Sequence, residues 1–176
     1  MPGSLGRRTL LARSSAAGFF MVAGQWAYLT PREAQARQFD PQILTPDQTD
    51  ALSTVGEVLV PGARSAGFAA YIDLQLQAGK RSLLIGKYLG VDTHTQTAFY
   101  RAAADNLILA LEQHTASEDV AESMAADTLT DWAGPPASYV FFVLRADALD
   151  VTYGTPEGFE QLGIPYMAHI MPEQPW

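Results

Sequence analysis

The chain has 176 residues, with 19 acidic side chains against 11 basic ones, a net charge of −8, and no cysteine. That length suits a single domain with one core, the acidic field opposes binding to phosphate backbones, and the missing thiols exclude disulfides and thiolate metal sites. No nucleic-acid partner is expected.

The first 36 residues read as a twin-arginine export signal. Arg7-Arg8, with Arg13 behind them and no acid before Glu33, precede the weakly apolar run Ala16-Ala17-Gly18-Phe19-Phe20-Met21-Val22-Ala23-Gly24. The run is too short and too polar for a membrane span, which takes roughly 20 apolar residues. Ala34-Gln35-Ala36 supplies a small-x-small cleavage pattern, so the mature chain is expected to start at Arg37, with an uncleaved leader as the alternative. Residues 1–36 hold four of the arginines and one of the glutamates, leaving seven basic against eighteen acidic side chains, a net charge near −11. The twin-arginine route carries proteins already folded in the cytoplasm, so the protein is expected in the periplasm, with the Tat translocase among its partners.

Residues 37–152 read as one helical domain. Thr45-Pro46 caps a first helix whose Leu52, Val55 and Leu59 recur at helical spacing until Pro61-Gly62. Phe68, Tyr71, Ile72 and Leu76 mark a second helix ending at Gly79, and Leu83, Leu84 and Tyr88 mark a short turn before Gly90. A long helix is expected from Asp92 or Thr93, with Phe99, Ala103, Leu107, Ala110, Leu111 and His114 on one face. Ser117 is expected to cap another, with Glu118 and Asp119 at its positive end, running to about Trp132. The apolar segment from Ala137 to Val151 fits a central helix or a buried strand, and its length favours the helix. The expected class is all-α: one compact helical domain with an irregular arm at 153–176, where glycines and prolines break regular structure.

That arm is nevertheless rich in apolar anchors. Tyr153, Phe159, Tyr166, Met167 and Trp176 are the candidate partner contacts, because large aromatic and methionine side chains dominate interface energetics. Packing of the arm on its own domain is the alternative.

Motifs that carry chemistry are missing. His94, His114 and His169 occupy unrelated segments without helical metal-ligand spacing, and no glycine-rich dinucleotide fingerprint, phosphate loop or nucleophile elbow occurs. No catalytic, cofactor-binding or metal-binding residue is assigned. A free enzyme would have to assemble its site from dispersed residues such as His94, Asp105, His114 and Tyr139, and a stand-alone helical binding or structural domain is a further alternative.

Several short motifs occur in a telling order: Leu44-Thr45-Pro46, Leu59-Val60-Pro61-Gly62-Ala63, Ala66-Gly67, Tyr71-Ile72-Asp73, then Tyr153-Gly154, Gly158-Phe159 and Gly163-Ile164-Pro165. With the twin-arginine signal, the chain resembles the gluconate 2-dehydrogenase subunit 3 family, the small non-catalytic subunits of membrane-associated flavin-dependent sugar and sugar-acid dehydrogenases. Thr155-Pro156-Glu157 and Gly158-Phe159 stand where family members often have a Gly-Gly-Asn stretch and a Gly-Trp pair, so no particular substrate is implied. The resemblance implies a three-part assembly of this subunit, a large FAD flavoprotein of the glucose-methanol-choline type, and a multihaem cytochrome c that passes electrons to the membrane. FAD and haem c would belong to the partners, and attachment to the inner membrane would run through them.

Overall fold

The structure is a computed structural model that describes residues 17–164. The described residues form an all-α domain of eight helices, with one two-stranded hairpin at its N-terminal end. The order is β1 (Gly18–Val22), β2 (Gln25–Leu29), α1 (Pro31–Ala36), α2 (Pro46–Leu59), α3 (Ala63–Ala66), α4 (Phe68–Ala78), α5 (Gln96–Gln113), α6 (Ser117–Ala126), α7 (Ala137–Tyr153) and α8 (Pro156–Gln161). Two 3-10 turns, Gly79–Arg81 and Ile85–Tyr88, join α4 to α5.

The N-terminal elements differ from the sequence expectation. β1 and β2 pair antiparallel from Gly18↔Leu29 to Val22↔Gln25, closed by Ala23-Gly24, both at positive φ as a tight two-residue hairpin requires. Phe20 and Leu29 are buried, while Phe19 and Tyr28 meet edge to face at 5.3 Å on the other face. A run that is apolar on both faces hides its period-two alternation, which is why it reads as an uninterrupted stretch in sequence. The residues after it, Thr30-Pro31-Arg32-Glu33, form a capping box: the Thr30 side chain accepts from the Glu33 N–H, and Glu33 accepts from the Thr30 N–H. Thr45-Pro46-Asp47-Gln48 starts α2 by the same device.

The two helices after Pro46 follow their periodicity. Leu52 and Val55 are fully buried on α2, and so are Phe68 and Ile72 on α4. At Gly56 the two helices come close, since a β-carbon there would lie 2.3 Å from the Phe68 ring. Asp73 of α4 is buried and ties the chain leading into α2, its carboxylate accepting from the N–H groups of Gln42, Ile43 and Leu44 at 2.8–3.0 Å.

Helix ends account for most of the remaining differences. α5 begins at Gln96 instead of Asp92 or Thr93, because the Asp92 carboxylate accepts the His94 N–H and its carbonyl the Thr95 N–H, folding those residues into a turn. Its buried stripe is centred on Tyr100, Ala103, Leu107 and Ala110, with Phe99 and Leu111 partly covered. α6 stops at Ala126 instead of running to Trp132: Asp127 turns left-handed at φ 58°, and the Thr128 N–H reaches back to the Ser123 carbonyl. Ser117 is its first helical residue and Ala116 its cap. α7 is the expected central helix, with Val143 and Leu144 fully buried; it packs against α2, α4, α6 and the Ile85–Tyr88 turn. It runs on through Tyr153, so the expected arm starts one residue into the helix, and the arm itself opens with α8, capped by Thr155.

One large core lies among α2, α4, α5, α6 and α7. A smaller cluster of Phe20, Leu29, Ala34 and Ala70 joins the hairpin and α1 to α4.

Candidate functional site

The chemistry of α7 follows from one residue in the wrong place for an acid. Val140, Leu144, Asp147 and Val151 fall at helical spacing on its inner face, so Asp147 is carried into the core and is fully buried. A carboxyl group there must find partners. One oxygen accepts the Ile85 N–H at 2.6 Å, and the other accepts the hydroxyl of Tyr100 from α5 in a very short hydrogen bond. Three residues on, Asp150 accepts the hydroxyl of Tyr71 from α4 at 3.2 Å. Two carboxyls and two tyrosines thus tie α4, α5, α7 and the Ile85–Tyr88 turn together.

Burial dominates the electrostatics of this cluster. Desolvation raises the Asp147 carboxyl from 3.8 to about 7, against the hydrogen bonds from Tyr100 and Ile85, which lower it; the nearby Asp150 adds to the rise. Asp150 is raised by burial as well, and both tyrosine hydroxyls are held up by burial and then by the adjacent carboxyls. A group that titrates near neutrality beside a tyrosine could move a proton. Asp147 and Tyr100 are both wholly enclosed, however, so no reactant reaches them, and their geometric role is to lock two helices and a turn, with the Tyr71–Asp150 pair adding α4.

The residues of the free-enzyme alternative are not brought together. His94 precedes α5 and His114 caps its other end, and eighteen helical residues put the two ends about 27 Å apart. Asp105 accepts the Gln48 side chain at 2.7 Å, and the Tyr139 hydroxyl donates to the Leu89 carbonyl at 2.9 Å, both in structural roles. Among the described residues no group of three histidine or acidic side chains is placed to hold a metal ion, and no helix is long and apolar enough to cross a membrane.

A groove of about 600 Å³ opens between the hairpin and the end of α4. Phe19, Trp26, Leu74, Ala78 and Leu83 make it apolar, and Arg81 is the one ionisable side chain lining it among the described residues. Phe19 is 62% exposed, Trp26 54% and Leu83 43%. Such a surface offers contact area and no reactive group.

The partner-contact candidates divide between the domain and its tail. Tyr153 ends α7 and packs partly buried on the main core, and Phe159 is partly buried on α8. Leu162 and Ile164, where the arm leaves α8, are 51% and 49% exposed. Tyr166, Met167, Trp176, Arg7, Arg8 and His169 lie outside the described residues. Ala34 is fully buried within α1, and Ala36 is that helix's last residue. The buried cluster and the groove were both missed by sequence motifs, although Asp147 on the face of Val140, Leu144 and Val151 was a readable signal.

No protein-family model matches the chain, and no curated protein or solved structure matches it.

Proposed function

We propose that the chain is the accessory small subunit of a periplasmic flavin-dependent dehydrogenase acting on a sugar, polyol or aldonate. In this reading it binds the folded FAD subunit of the glucose-methanol-choline type in the cytoplasm, stabilises it, and supplies the export signal that the larger chain lacks. The observation that carries the reading is the pairing of a twin arginine, an address for folded cargo, with the ordered motifs from Leu44-Thr45-Pro46 to Gly163-Ile164-Pro165. Flavin and haem c belong to the partners, and the multihaem cytochrome attaches the assembly to the inner membrane.

The arm supports a contact role. Leu162 and Ile164 present about half their surface to solvent, and the sequence that follows them adds the apolar side chains Tyr166, Met167 and Trp176. Truncation after Ile164 removes no residue of a described helix and is expected to abolish co-purification of the flavoprotein. A truncated chain that still holds the flavoprotein as firmly as the full chain would remove the arm from the interface.

A further inference from the structure

The export reading places a signal in residues 1–36, and the structure places residues 18–36 in the folded domain. We infer that the exported protein keeps residues 18–36 as its hairpin and first helix, and that any processing cuts ahead of Gly18. The inference rests on the export reading for its setting and on packing for its content.

Phe20 is 1% exposed, Leu29 4% and Ala34 not at all, and all three share one buried cluster with Ala70 of α4. Backbone hydrogen bonds also tie the segment to Phe39 and Asp40. The Asp40 N–H donates to the Met21 carbonyl at 2.7 Å, and the Phe39 N–H to the Ala34 carbonyl at 3.1 Å. At the junction of α3 and α4, Gly67 approaches Pro31 so closely that a β-carbon would sit 2.2 Å from the Pro31 carbonyl oxygen. A signal peptidase reads a small-x-small site through its side chains and needs that stretch extended. Here Ala34 is buried inside a helix whose start is fixed by the Thr30–Glu33 capping box, so cleavage after Ala36 requires α1 to unwind. Loss of the segment would also uncover Ala70, Leu74 and Phe39.

The same residues serve two states. While Phe20 is buried, the apolar run around it is not available to a translocase, so recognition of the run requires the hairpin to be undocked from α4. The experiment is N-terminal sequencing and intact mass of the full chain recovered from the periplasmic side, with Phe20→Ala, which keeps the run apolar, measured alongside. The expected result is an N-terminus at or before Gly18, with a lower Tm for exported Phe20→Ala protein. An N-terminus at Arg37, with a Tm indifferent to Phe20→Ala, overturns retention and leaves export standing. A chain found only in the cytoplasm with Met1 in place overturns the export reading instead, and hydrogen exchange on that full chain then decides the packing: protection across 18–40 comparable to α4 supports a structural hairpin, and exchange as fast as in an unfolded chain overturns it.

Discussion

Replacement of Asp147 by alanine is expected to destabilise the domain by on the order of 4 kcal/mol at pH 5, the largest loss expected from a single truncation on α7. The substitution leaves the Ile85 N–H and the Tyr100 hydroxyl without their partner at a fully buried position, at about 1–3 kcal/mol each, and opens a small cavity besides. Asparagine is expected to behave differently, and the difference depends on pH. Because burial raises the carboxyl from 3.8 to about 7, the folded protein holds a proton that the unfolded chain has already released between those values. The contribution of protonated Asp147 is therefore complete below about pH 4 and is lost as pH rises to about 7, a span worth on the order of 4 kcal/mol. Asp150, raised in the same direction, adds to the slope. Denaturant unfolding at pH 5 and pH 8 checks this: Asp147→Asn is expected to be modestly less stable than the wild type at pH 5 and to gain on it at pH 8. A gap that does not change with pH would mean that Asp147 stays ionised in the fold.

Substitution of both Arg7 and Arg8 by lysine is expected to retain the flavoprotein in the cytoplasm together with this subunit, with close to complete loss of dehydrogenase activity at the periplasmic face. The pair precedes the described residues and the exchange keeps both positive charges, so the stability of the domain and its hold on the partner are expected to be unchanged. Fractionation followed by detection of both chains reads the effect. Independent arrival of the flavoprotein outside the cytoplasm would defeat the cargo role while leaving a structural one.

Much of the fold was legible because its helices carry their own punctuation. Thr45-Pro46, Pro61-Gly62, Gly79 and Pro135-Pro136 bracket elements whose apolar spacing is regular, and the structure places helix ends at or beside them. Where local hydrogen bonds compete with the helix, spacing alone misleads: Asp92 holds the start of α5 back by several residues, and Asp127 ends α6 before Trp132. The hairpin was illegible for a different reason. Phe19-Phe20-Met21-Val22 is apolar on both faces, and a twin arginine ahead of it gives such a run a second meaning. Thr30-Pro31-Arg32-Glu33 did announce α1, with the same hydroxyl, proline and acceptor spacing as Thr45 to Gln48, but the Ala-x-Ala immediately after it reads as a cleavage site. The tyrosine–aspartate cluster depends on pairings 47 and 79 residues apart in sequence, which no local pattern encodes.

The central claim, an accessory subunit whose chemistry resides in a partner, is tested most directly by what the tagged full chain brings with it. Purified from the cells that make it and examined by visible absorption, it is expected to carry a larger chain with the spectrum of an oxidised flavin, bleached by a sugar substrate, and haem bands where the cytochrome is retained. A colourless, monomeric chain of 176 residues or its processed form, recovered without a flavoprotein under gentle extraction, would contradict the account.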